Sequence, residues 1–134
     1  MRTLGDMRWI NQYVGLPYAL GGRGPDAFDC YGLCALVYRE QFDIELPDWN
    51  ETVLELRGRA LAIESELHSG TWTELEAPED GCFVVCYRSK AAHHLGLYFA
   101  GGVLHAAEGV GAVFEPAHRF QKQYGRLEFG RWAP

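Results

Sequence analysis

No apolar run in this 134-residue chain approaches the ~18–20 residues that cross a bilayer, so no membrane-spanning helix is expected. The opening stretch, MRTLGDMRWINQYVG, mixes charged and polar residues into its apolar pattern, which is not the profile of a signal peptide. Synthesis in the cytoplasm without a Sec address is the expectation. There is no internal repeat, low-complexity tract or linker, and 15.1 kDa leaves room for one compact domain over residues 1–134. A basic excess is also missing: 18 acidic residues face 12 basic ones, a net charge of −6. Twelve of the acids fall between Glu40 and Asp80, offset there only by Arg57 and Arg59, so this stretch carries −10 and the remainder +4. A nucleic-acid clamp needs a basic stripe along one face, and none is available. The acidic stretch reads as the solvated face of a helix.

C-x2-C zinc knuckles are absent as well. The four cysteines, Cys30, Cys34, Cys82 and Cys86, form two C-x3-C pairs inside the apolar stretches LCALV and CFVVCY. A cysteine in such a setting is ordinarily a small buried hydrophobe, and structural zinc favours tighter spacing on turns. Disulfides are not expected in a cytosolic chain long enough to bury a core. No metal and no cofactor are anticipated.

What is present falls into two halves. Leu4, Met7, Ile10 and Val14 are spaced for a helix over about 4–14, stopped by Gly15. LPYALGGRGPDAF is a loop by its glycines and prolines. From Asp29 the pattern turns helical again, and Asn50 can cap a third helix over about 51–67. After Pro78 the chain becomes β-rich: CFVVCY (82–87), HLGLYFA (94–100), VLHAAE (103–108), then AVFE and RLEFGRW. Helices first and sequential strands afterwards predict an α+β fold, with N-terminal helices packed on an antiparallel sheet of about five strands.

One cysteine differs from the rest. Cys30 follows the glycine-rich loop and a helix N-cap residue, Asp29, so it occupies the first turn of a helix. Unpaired N–H groups and the positive end of the helix dipole favour a thiolate there, and the same N–H groups can hold an oxyanion. A thiolate nucleophile needs a base, itself oriented by a third group. His68 and His118 read as surface residues, His118 in a loop. His94 and His105 lie on adjacent strands, with Gly96 and Ala107 leaving room for a close helix. A cysteine at a helix start facing two strand histidines is the papain arrangement in outline. Two core histidines satisfied by their neighbours are the bland alternative.

Five segments, G-L-P-Y-A-L-G-G (15–22), F-D-C-Y-G-L (28–33), D-G-C-F-V-V (80–85), H-L-G-L-Y (94–98) and V-L-H-A (103–106), resemble in order and spacing the motifs of the NlpC-type cell-wall peptidases. The resemblance implies a papain-like fold and hydrolysis of peptide stems in bacterial peptidoglycan, often at the D-glutamyl–diaminopimelate bond. By motif position, Cys30 would be the nucleophile, His94 the base and His105 the third polar residue. Tyr18 would lie beside the thiol, Asp29 would be the acid preceding it, and Tyr31, Gly32 and His93 would line the substrate cleft.

D-C-x-G-L followed by Y-R-E-x-x-x-I-E-L-P-D-W further resembles a subgroup found in phage and prophage tail-assembly proteins. That implies tail-tip partners and delivery to the wall by the virion tail after synthesis in the host cytoplasm. The alternative is a tail-assembly structural protein with the same fold and little or no catalysis; retention of Cys30, His94 and His105 favours activity. Two features depart from the pattern. Tyr31 stands where secreted members have Ser, which alters the wall of the cleft. If Gly101–Gly102 form the hairpin turn, His105 faces Tyr98 rather than His94, and a bulge or longer loop is needed to bring the imidazoles together.

Overall fold

The structure, a computed structural model, describes residues 7–46, 72–88 and 91–132. Of the expected first helix, Arg8–Gln12 forms a short 3-10 segment that buries Ile10; residues 1–6 lie outside the described part, as does the helix expected over 51–67 with its Asn50 cap. Helix α1 (Cys30–Phe42) starts where the N-cap reading placed it. Asp29 is extended, and its side chain accepts from the Gly32 N–H at 2.7 Å. The helix ends at Asp43, left-handed at φ 58°, whose N–H returns to the Tyr38 carbonyl.

Six strands follow: β1 (Trp72–Leu75), β2 (Phe83–Arg88), β3 (Ala91–Phe99), β4 (Gly102–Ala107), β5 (Gly111–Pro116) and β6 (Arg126–Trp132). They form one antiparallel sheet in the order β1-β6-β2-β3-β4-β5. The fold is α+β and papain-like, with one strand more than the five read from sequence. The extra strand, β1, is a short edge strand whose two middle residues are exposed, so it shows neither an apolar run nor a strong alternation.

The sheet is covered on both faces. Phe83, Val85, Leu95, Leu97, Phe99, Leu104 and Ala106 join Leu33, Val37 and Phe42 of α1 in the main core. On the opposite face Val84, Cys86 and Val103 pack around Phe120. Phe120 belongs to a second helix, α2 (Ala117–Tyr124), where sequence reasoning had placed a loop holding His118. Its apolar residues, Ala117, Phe120 and Tyr124, fall at helical spacing, but over only eight residues, and Phe120 alone is fully buried. Pro116 before it and Gly125 after it are the local start and stop.

Two irregularities set the register. Cys86 pairs with His94 but Tyr87 pairs with Ala92, so His93 is the extra residue of a β-bulge. That bulge lets Ala92 and Leu95, three apart, both reach the α1 core. The β3–β4 turn is Ala100–Gly101, with φ of 49° and 82°, not Gly101–Gly102. Leu97 therefore pairs with Leu104 and Phe99 with Gly102. Continued by one residue, this ladder sets Gly96, not Tyr98, beside His105, and no bulge between these two strands is required.

The start of α1 is seated on the glycine-rich loop with almost no clearance. A Cβ added at Gly32 would lie 2.1 Å from the Gly22 carbonyl oxygen, and one at Gly22 would lie 2.8 Å from the carbonyls of Ala19 and Ala27. The obstacles are backbone atoms, which cannot rotate aside. Gly32→Ala is expected to destabilise the fold by about 1–3 kcal/mol, measured by urea denaturation, because α1 must lift from the loop.

Candidate active site

Asp29 organises the entrance to α1. It is 1% exposed, and its Oδ1 accepts from both the Gly32 N–H and the Arg23 guanidinium, the latter at 2.6 Å. Arg23 also lies over the Tyr31 ring at 5.3 Å. Tyr31 is buried, and with Gly32, Arg23 and Arg39 it borders a cavity of about 140 Å³. Tyr18 is half-buried and forms a parallel backbone bridge with Phe28, two residues before Cys30. Cap, ion pair and bridge together fix where the first turn of α1 begins.

On the sheet the two imidazoles meet. His94 Nε2 lies 2.9 Å from His105 Nδ1, with the rings nearly perpendicular. The contact runs diagonally across β3 and β4, and the missing side chain at Gly96 leaves room for it; a Cβ there would come within 3.2 Å of His105 Cβ. The line continues one strand further. His105 Nε2 lies 3.1 Å from Glu115 Oε2 on β5, again a diagonal, since His105 pairs with Val113 and Glu115 with Val103.

Helix α2 seals this line from water. Tyr124 stacks on His94 with ring centroids 4.4 Å apart, and Phe120 packs edge-on to His105 at 4.6 Å. His94 is 5% exposed and His105 1%. His93 stands on the bulge, where its Nε2 donates to the Tyr124 carbonyl at 2.9 Å, tying β3 to the end of α2. Burial holds His105 below the usual histidine pKa, opposed by the hydrogen bond and charge of Glu115.

The cysteines separate by environment. Burial raises the thiol pKa of Cys34 and Cys86 well above normal and pushes Cys82 up to about 11. All four thiols are free. Cys30 lies within electrostatic reach of the two residues that flank His94: after burial, a negative charge at Cys30 adds to the raised pKa of Cys86, the β2 partner of His94. It adds, after burial, Glu115 and Cys86, to that of Tyr124, which stacks on the His94 ring. Among the described residues, no group of three or more His, Cys, Asp or Glu is arranged to hold a metal ion.

A cysteine at a helix start and a strand-borne imidazole pair, on a helix-covered antiparallel sheet, are the elements of the papain-like architecture. Within that class the chain belongs to the NlpC/P60 family, whose sequence model matches residues 15–125. It is 25% identical over 107 residues to a protein named "Probable endopeptidase p60" from Listeria grayi, a match covering 80% of this chain but 18% of that protein. The fold is similar to the NlpC/p60 domain of the peptidoglycan hydrolase SagA, with TM-score 0.59, 20% identity and 90% of each chain covered. It is also similar to an NlpC/P60 family protein from Bacillus cereus, with TM-score 0.65, 18% identity, and 93% of this chain and 38% of that one covered.

Arg23, Glu115, Phe120 and Tyr124 were not singled out from the sequence. Glu115 was legible only through the β4–β5 register, and the two aromatics only through α2. The depressed pKa of His105 has a consequence for stability. Near its ordinary pKa of 6.5 the unfolded chain takes up a proton that the folded protein refuses. Its contribution to stability is therefore complete above that pH and declines as the pH falls below it. Thermal unfolding from pH 7.5 to 5 should show a falling Tm, and His105→Asn should flatten that dependence.

Proposed function

We propose that this chain is a cysteine peptidase in which Cys30 is the nucleophile, His94 the general base and acid, and His105 the group that orients His94. The observation that carries this reading is the buried His94–His105 hydrogen bond, in a fold that also sets Cys30 at the capped start of α1. A solvent-excluded polar pair of this kind is retained at a cost unless it serves chemistry or specificity.

The chemistry follows from the geometry. With His94 Nε2 occupied by His105, its Nδ1 is the nitrogen that takes the Cys30 proton. The thiolate attacks the scissile carbonyl carbon, and the resulting oxyanion is held by N–H groups at the N-terminus of α1. His94 returns the proton to the leaving amine as the C–N bond breaks, giving a thioester. Water, deprotonated by His94, then attacks the thioester, releasing the acid and restoring the Cys30 thiol. Tyr18 borders the thiol in this reading, Asp29 holds the nucleophile's helix in place, and Tyr31, Gly32 and His93 border the cleft.

For substrate we propose peptide stems of bacterial peptidoglycan, cut at a D-glutamyl–diaminopimelate type bond. The names of the relatives support a peptidoglycan peptidase, one being called an endopeptidase and another a domain of a peptidoglycan hydrolase, while the bond rests on the motif resemblance alone. The setting we propose is a phage or prophage tail, reached from the host cytoplasm through tail-tip partners. That part rests on the D-C-x-G-L and Y-R-E-x-x-x-I-E-L-P-D-W resemblance. Recovery of the chain in purified tails by mass spectrometry tests it, and its absence there argues against it.

Incubation with purified peptidoglycan should release new amines detectable by mass spectrometry. Intact binding without cleavage would favour the tail-assembly structural reading instead. Iodoacetamide at neutral pH should label Cys30 before the three cysteines whose thiols are held protonated by burial. Cys30→Ser should retain the fold by circular dichroism and lose turnover, while faster labelling of Cys82 or Cys86 would overturn the assignment.

The two imidazoles should also separate by substitution. His94→Ala should lower kcat by about 10²–10⁴-fold or more, since proton transfer to and from the reacting atoms is lost. His105→Asn should keep measurable activity because an amide oxygen can still accept from His94, and His105→Ala should lose considerably more. A fully active His105→Ala, or a dead His93→Ala with a live His94→Ala, would show that the wrong histidines were assigned.

A further inference from the structure

We propose that Glu115 is a positioning residue of the site: by accepting the His105 Nε2 hydrogen, it sets the hydrogen-bond direction along the line and keeps His94 Nδ1 as the proton-accepting nitrogen. This deepens the peptidase reading and rests on it for its catalytic meaning. The direction of the hydrogen bonds does not depend on that reading.

The number of donors on each ring fixes the direction of the line. A neutral imidazole carries one N–H and one bare nitrogen, so each ring in a chain passes the direction to the next. The terminal partner decides which way the chain runs. An ionised carboxylate can only accept, so Glu115 Oε2 at 3.1 Å requires the hydrogen of His105 to sit on Nε2. His105 Nδ1 is then bare and accepts across the 2.9 Å contact, so His94 Nε2 must carry a hydrogen. What remains for the thiol proton is His94 Nδ1. If Glu115 were replaced by a donor, the chain could run the other way, and neutral His94 would present a hydrogen at Nδ1 instead of a lone pair.

Placement supports the assignment. The three residues stand on three adjacent strands, joined by two successive diagonals on one face of the sheet. His105 is essentially inaccessible to water, so no solvent molecule competes freely for the role of partner. Its depressed pKa keeps it as the neutral, direction-passing form at neutral pH. Phe120 and Tyr124 close over the rings.

The test is 15N NMR of the resting, histidine-labelled full chain at neutral pH, with no substrate present. The expected result is a protonated Nε2 on both rings and a bare Nδ1 on His105. This pattern holds whether His94 is neutral or has taken the Cys30 proton. A protonated His105 Nδ1, or a bare His94 Nε2, would overturn the proposal without any variant being made.

Glu115→Ala should then mix the His105 tautomers and lower kcat by about 10–100-fold, with KM changed by about twofold or less. Glu115→Gln, whose amide can accept the same hydrogen but can also donate, should disturb the tautomers and kcat less than Glu115→Ala does. An Ala variant with unchanged tautomers overturns the proposal, as does a Gln variant that disturbs them more than Ala does. A chain with the expected tautomers that cuts no peptidoglycan would sink the peptidase reading and leave the hydrogen-bond direction standing.

Discussion

The close seating of the first turn of α1 on the glycine-rich loop is the constraint on which the rest of the site depends. The Gly22 carbonyl lies so near Gly32 that no side chain fits between them. Asp29 then locks the junction, taking the Gly32 N–H as a helix cap and Arg23 as an ion partner. A buried carboxylate with a cap donor and a guanidinium is satisfied, whereas the same carboxylate without them would be a large penalty. Cys30 follows directly, so these backbone contacts set where it begins the helix, and its side chain is buried in the main core. The loop, the cap and the first turn of α1, with Cys30, are thereby joined.

The sheet solves the opposite problem, which is to hold polar rings in a place from which water is excluded. Three strands each contribute one group, and the diagonals of the antiparallel pairing bring those groups into hydrogen-bond contact. The β-bulge at His93 keeps the apolar residues on the α1 side while His94 stays on the other. Helix α2 closes the arrangement with two aromatic rings. At eight residues it is too short to be stable in isolation, and it is held by Phe120 packing on the sheet with Ala117 and Tyr124 around it. Desolvation is what keeps His105 neutral, so the covering helix and the hydrogen-bonded line act together.

Legibility varied with the source of the signal. The start of α1 was readable because a glycine-rich loop, a capping aspartate and a run of apolar residues are all local. Strands β2, β3 and β4 were readable from their composition, and so was the sharing of one face by His94 and Gly96. The β3–β4 turn was read one residue late, because two adjacent glycines drew the turn toward themselves while Ala100 took the left-handed position. That one-residue error moved the partner of His105 from Gly96 to Tyr98. Strand β1 and helix α2 were missed because each is short and exposes half or more of its side chains. Glu115 looked like an ordinary strand acid, since nothing nearby in sequence marks its diagonal to His105.

The sequence by itself determined the α+β class, the helix that begins at Cys30 and the two strand histidines, and it carried the motifs of the NlpC/P60 family. These properties depend on periodicity, capping and residue order, which act over a few neighbouring positions. Tertiary structure alone decided that His94 and His105 touch, that Glu115 completes the line, and that Tyr124 and Phe120 shield it. Those outcomes depend on register between strands and on one helix docking across a sheet. Contacts between residues 10 to 30 apart are set by the global packing, for which no local pattern is a substitute.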